Sequence, residues 1–390
     1  MPNREPGPLK KFRFYRPELD GLRFFAFLAV FVCHTSVFAS LAKAVLPYSR
    51  ELAHYVIALN RFGPLGVSLF FSLSSFLITK LLLLEEDATG GQVSVGHFYA
   101  RRALRIWPVY FLSLLVLQLW VTPFNQPMNS NTLLGFCLFL GNWVMAYLGR
   151  LHNCVLILWS ISVEEQFYLV WPWLFRLSRS FRVRLFWALI PLAWLVRGAM
   201  AHGWAGSQDF RFVTINAMGF ACNSFFHLDT FALGALLAVY ETPLLSRFGN
   251  RRWLIFALLS LVLLSRYFFG APTSVLASMG QGVVAFSCML VVVNSFDTRW
   301  LAHPLLVWLG RMTYGLYVYH FFALRVVEFA VYQGRFPGPD FLPTVWTSLA
   351  VAGLGLAATV GVASLSFYGL EQPVLRLKGR YTKVLSGKAE

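Results

Sequence analysis

The chain has 390 residues, of which 57% are hydrophobic, 17% aromatic and only 13% charged, and its mean hydropathy is +0.61. Soluble domains carry about 25% charged and about 45–50% apolar residues, so this balance excludes a disordered chain, a nucleic-acid binder and an ordinary water-soluble globule. Apolar runs recur along the whole length, which leaves an all-α polytopic membrane protein.

A crossing helix needs about 20 mostly apolar residues. In chain order, candidate segments run over 24–42, 65–84, 103–121, 133–148, 155–177, 184–202, 225–241, 253–269, 276–294, 304–332 and 344–368. The formal net charge of +16 sits in short stretches between them, as the positive-inside rule requires. Arg4, Lys10, Lys11, Arg13 and Arg16 precede the first segment and place the N-terminus in the cytoplasm. Arg101, Arg102 and Arg105, then Arg176, Arg179, Arg182 and Arg184, then Arg247, Arg251 and Arg252, and finally Arg376, Lys378, Arg380 and Lys383 mark the same side. The opposite loops are poorer, with Arg211 at 203–224, no basic residue at 270–275 and Arg335 at 333–343, while the loop at 43–62, with Lys43, Arg50 and Arg61, is a mild exception. Parity requires an odd number of crossings between 122–132 and Arg176. The short 133–148 segment, with Gly141 and Asn142, therefore reads as re-entrant, interfacial or part of one broken crossing near 133–158. About ten transmembrane helices with both termini cytoplasmic follow. One membrane domain over 1–375 and a basic cytoplasmic tail over 376–390 are expected, without room for a second folded domain. Ala42-Lys43-Ala44 mimics a signal-peptide cleavage site, but Arg23 and His34 within the segment argue against cleavage.

Charges inside a span cost about 2.5–3.5 kcal/mol or more, so each is a functional candidate. His34 follows Arg23 by three helical turns, which puts both on one face and the imidazole roughly 16 Å deeper, near mid-bilayer. A neutral imidazole there can take a proton from a hydroxyl; a packed histidine bonded to a neighbouring helix is the structural alternative. Glu164 and Glu165, with Gln166 and Tyr168 beside them, fall near the middle of another span. Adjacent positions point about 100° apart, so at least one carboxylate faces a polar interior, as a proton carrier or as half of a structural ion pair. Arg101, Arg102 and Arg105 at a cytoplasmic mouth suit the phosphates of a nucleotide-like ligand, or serve topology alone. Weaker signals are His227-Leu-Asp229, the Gly310–His320 string and Glu371-Gln-Pro373. The five cysteines are odd in number and lack CxxC spacing, and no metal site is expected. Without a Walker loop, GxGxxG or GxSxG, the chemistry is acid–base and electrostatic.

These strings, in this order, resemble the membrane-bound acyltransferase-3 family, the O-acetylating enzymes of bacterial surface glycans and some antibiotics. Arg23-x10-His34, preceded by Leu19-Asp20-Gly21-Leu22, matches its hallmark. The segments Gly66 to Ser74, Arg101 to Pro108, Trp159-Ser-x-Ser-Val-Glu-Glu-Gln-Phe-Tyr168, Tyr314 to His320 and Glu371-x-Pro373 complete the pattern. Ser75, Ser68 and His227 depart from residues the family usually carries. The resemblance implies a multi-pass protein of the bacterial inner membrane. It implies no permanently bound cofactor, acyl-CoA (acetyl-CoA) as co-substrate, and a carbohydrate or glycosylated acceptor. His34 would be the general base, with Arg23, Glu164 and Glu165 as its catalytic companions. Arg101, Arg102, Arg105 and Tyr110 would hold acyl-CoA. Asp20, Trp159, Ser162, Gln166, Tyr168, Asp229, Tyr314 and His320 would support the acceptor site. A stand-alone member completes the transfer itself or hands over to a separate acyl-accepting partner. The competing readings are a secondary transporter of a small polar metabolite and a non-catalytic membrane scaffold.

Overall fold

The structure is a computed structural model that describes residues 13–60, 62–122, 125–148, 154–206, 222–268, 275–334, 343–377 and 385–386. The loop residue Arg211 and the tail residues Lys378, Arg380 and Lys383 lie outside these. Helices dominate throughout, as the composition requires: a backbone that meets lipid must satisfy its own hydrogen bonds.

Helix α1 (Pro17–Cys33) opens with proline in its first turn and carries Glu18 and Asp20 there, suiting the positive end of the helix dipole. The expected continuous helix over 24–42 is broken. The chain turns at His34–Ser36 and resumes as α2 (Val37–Val45) at 59° to α1. The cause is local: Cys33 Sγ donates to the Val30 carbonyl and Thr35 Oγ1 to that of Val32 (2.7 Å), so side chains take carbonyls that a continuing helix would use. A short α3 (Arg50–Leu59) leads to α4 (Phe62–Ala88), which packs against α1. Helix α5 (Val95–Leu119) follows. The 133–148 segment is two short helices, α6 (Ser130–Cys137) and α7 (Gly141–Leu148), rather than a crossing. Helix α8 (Trp159–Val170) lies between two 3-10 turns, Cys154–Leu158 and Trp171–Arg176.

The second half contains α9 (Arg179–Gly206), α10 (Leu228–Val239), α11 (Glu241–Phe248), α12 (Arg251–Phe268) and α13 (Val275–Ser295). The expected 304–332 helix is divided at Met312 into α14 (Pro304–Arg311) and α15 (Thr313–Val331). Helix α16 (Val345–Ser366) packs along α15 and ends in a π turn, Phe367–Glu371, and a last short helix, α17 (Gln372–Arg376). Five helical stretches among the described residues are long and apolar enough to cross a membrane, or seven if each bent pair counts once.

Helix α4 is the hub, against α1, α10 and α13. Its Ser68, Ser72, Ser75 and Thr79 recur every three or four residues and are at most 3% exposed. This stripe of small polar residues allows close approach where hydrophobic driving force between helices is weak. Gly234 of α10 sits against it: a Cβ there would meet the Ser72 carbonyl oxygen at 2.6 Å and Ser75 Cβ at 2.9 Å. Two short parallel strands, β1 (Arg13–Phe14) and β2 (Leu385–Ser386), join the two ends of the chain.

Candidate active site

The inward stripe of α1 is Leu19, Leu22, Ala26, Phe27, Val30 and Phe31, the three-and-four spacing of a buried helix face. Arg23 sits nearly two turns in from its start and His34 at its C-cap. Arg23 holds Asp20 at 3.4 Å.

Helices α1, α4, α5, α8 and the α14–α15 junction line an open-sided cavity of about 90 Å³, room for several waters where one needs roughly 10–15 Å³. Its charged lining is Arg23, Arg102, Arg105 and Glu164, three guanidiniums against one carboxylate. Arg102 and Arg105 share a face of α5 because they lie three residues apart. Glu164 is fixed by two hydroxyls, Ser74 from α4 and Tyr168 one turn along α8, both donating to its Oε1. The Arg102 guanidinium lies 5.6 Å over the Tyr168 ring and 5.7 Å over that of Phe98, while its buried Nε has no hydrogen-bond partner among the described residues. Tyr314 also lines the cavity and donates to the Ile106 carbonyl at 2.8 Å.

Several residues picked from sequence stand outside this lining, among them four that are tied elsewhere. Arg101 pairs with the buried Glu85 at 2.9 Å. Glu165 turns outward from the cavity: its Oε2 accepts from Trp107 Nε1 at 3.2 Å, and its buried Oε1 has no partner among the described residues. Tyr110 donates to the Phe136 carbonyl (2.8 Å). Asp229, fully buried, takes both arms of Arg197 at 2.5 and 3.1 Å.

The supporting residues brace the walls. Gln166 bonds the Phe139 carbonyl and Asn142 at 2.8 Å each and accepts from Ser224 at 2.6 Å, pinning α7 to α8. Trp159 stacks on His227 at 6.1 Å. Ser162 donates to the Leu158 carbonyl at 3.3 Å.

His34 and His320 are neighbours, with His34 Nδ1 and His320 Nε2 3.1 Å apart. Neither lines the cavity. Tyr317 belongs to both places: it lines the cavity and packs on His320 with ring centroids 5.6 Å apart. Sequence reasoning missed three residues here. Ser74 closes the motif that begins at Gly66, and Tyr317 lies inside the one from Tyr314 to His320. Arg197 carried the plain signal of a charge within an apolar run.

The acyltransferase-3 model, described as an acyltransferase domain, matches residues 16–368, and the chain belongs to this family. It is 25% identical over 388 residues to the acyltransferase MdmB of Streptomyces mycarofaciens, covering 93% of this chain and 92% of the relative. A Staphylococcus aureus protein named as a candidate O-acetyltransferase is 25% identical over 393 residues, covering 93% of this chain and 58% of the relative. The peptidoglycan O-acetyltransferase OatA of Listeria monocytogenes is 23% identical over 394 residues, covering 93% and 56%. The chain thus spans under three fifths of the length of the Staphylococcus and Listeria relatives. No solved structure matches it. The family so matched is an acyltransferase family.

Proposed function

We propose that the chain is an inner-membrane O-acyltransferase that moves an acyl group, acetyl in the first instance, from cytoplasmic acyl-CoA to a hydroxyl of a carbohydrate or glycosylated acceptor. The observation that carries this reading is the cavity in which Arg23, Arg102 and Arg105 converge on the hydroxyl-braced Glu164. Guanidiniums match phosphate geometry and keep their charge, so Arg102 and Arg105 hold the pyrophosphate end of acyl-CoA. Arg23 faces the oxygen of the thioester as negative charge develops there. Arg101, paired with Glu85, supports the α5 scaffold. The peptidoglycan O-acetyltransferase relative favours a sugar hydroxyl as acceptor.

His34 is the base in this proposal. It takes the proton of the acceptor hydroxyl while the oxygen bonds to the thioester carbon. When the carbon–sulfur bond breaks, the proton passes to the departing CoA thiolate and the imidazole is regenerated. Ten crossings with both ends cytoplasmic fit the basic segments, and the pairing of β1 with β2 supports an even number of crossings.

The test compares glycolipids and small metabolites, by mass spectrometry, from cells making the parent or His34→Ala. An acyl increment present only with the parent is expected. Folded His34→Ala protein that acylates at the parental rate removes His34 as base.

A further inference from the structure

Helix α15 brings a second imidazole onto the first. His320 is fully buried, edge-on to Phe27 (5.7 Å) and tilted against Phe31 (6.3 Å). These are the two aromatic positions that precede His34 on the inward face of α1, at i−7 and i−3. The His320 Nδ1 lies 2.6 Å from the Tyr317 carbonyl oxygen in its own helix. A carbonyl only accepts, so the Nδ1 carries a proton. A ring this deeply packed among aromatic side chains is the neutral form, because an unpaired buried charge is far more costly. Neutral imidazole has one N–H, so His320 Nε2 is left with a lone pair. The atom 3.1 Å from that lone pair is His34 Nδ1, which must then be the donor.

From this chain of bonds we infer that His320 is a positioning residue that sets the tautomer of His34. The Tyr317 carbonyl orders the His320 proton, His320 Nε2 accepts the His34 Nδ1 proton, and the lone pair of His34 is thereby assigned to Nε2. The role parallels that of the carboxylate in a hydrolase triad, where the wrong tautomer costs about 10⁴ in rate, with a neutral ring in place of the anion. When His34 takes the acceptor's proton at Nε2, its Nδ1–H still points at a lone pair, so the imidazolium forms without rearrangement. The catalytic consequence rests on His34 being the base; the tautomer does not.

Two measurements separate those statements. The first is solid-state nitrogen NMR of the full chain, labelled with ¹⁵N-histidine and reconstituted in liposomes, with the His34 signals identified by their loss in His34→Gln. Expected are a protonated Nδ1 and an unprotonated Nε2 in the parent, and a changed tautomer balance in His320→Phe. A His34 proton on Nε2 in the parent, or an unchanged balance in His320→Phe, overturns the inference. The second is steady-state transfer from radiolabelled acetyl-CoA to acceptors in native membranes. His320→Phe is expected to lower kcat about 100-fold at unchanged KM for acetyl-CoA. His320→Gln, whose side-chain oxygen can accept from His34 Nδ1, is expected to stay within about tenfold of the parent. Equal losses in the Phe and Gln variants, or a change confined to KM, count against the relay. Undiminished transfer by His34→Gln would sink the general base and leave the NMR result to decide the tautomer alone. Should His320→Phe fail to fold, the parent spectrum and the Gln variant still decide.

Discussion

Replacing Arg197 with methionine will unfold this chain more readily than any exposed substitution. The guanidinium reaches Asp229 with both arms, at 2.5 and 3.1 Å, and its Nη1 also donates to the Phe226 carbonyl at 2.5 Å. The side chains are 1% and 0% exposed. Methionine fills the same space but leaves the Asp229 carboxylate buried with the Thr230 amide, 2.9 Å away, and the Trp194 indole in place of a charged partner. Breaking one side of a buried pair costs about 3–5 kcal/mol, which at about 1.4 kcal/mol per tenfold is roughly two to three and a half powers of ten in the folding equilibrium. The double variant Arg197→Met with Asp229→Leu removes both charges, and such replacements are commonly neutral or better. It should therefore recover most of what the single variant loses. Reversible unfolding in mixed detergent and SDS micelles measures all three, together with Asp229→Leu to close the cycle. A single variant with the parental midpoint, or a double variant no better than the single, refutes the reasoning. Parental acyl transfer by the double variant would further show Asp229 to be architecture and not part of the site.

Two further outcomes follow from the same geometry. Arg102→Gln and Arg105→Gln should each raise KM for acetyl-CoA about tenfold or more, since a hydrogen bond to a charged group is worth about 1.5–3 kcal/mol. Arg101→Gln should instead leave KM alone and lower the unfolding midpoint by stranding Glu85, which is 2% exposed; a KM effect at 101 equal to those at 102 and 105 would contradict the assignment. Gly234→Ala should cost about 1–3 kcal/mol of stability by overpacking the α4–α10 contact, read as a lower thermal midpoint in detergent, and an unshifted midpoint would show that the helices separate freely there.

The helical membrane class was legible because composition and apolar run length bound it directly. Members of the arginine and glutamate strings also meet at one cavity, since a charge in an apolar run is too costly to leave facing lipid and must turn to a polar interior. What sequence spacing left open was which member of each string faces inward. Glu164 and Glu165 differ by 100° of rotation, and only Ser74 and Tyr168 show that Glu164 turns to the cavity. Arg101 is drawn away from Arg102 and Arg105 by Glu85, sixteen residues upstream on another helix. The contact of His34 with His320 joins positions 286 residues apart, and no periodicity reports on that. The end of α1 was hidden for a different reason: Cys33 and Thr35 look compatible with an apolar helix until their side chains claim its carbonyls.

The two-residue ladder between Arg13–Phe14 and Leu385–Ser386 has a consequence for anyone attaching a probe. These two segments are hydrogen-bonded to each other, so reporters placed beside either one are expected to give matching accessibility. A deletion that removed a single traverse of the bilayer would have to pull this clasp apart.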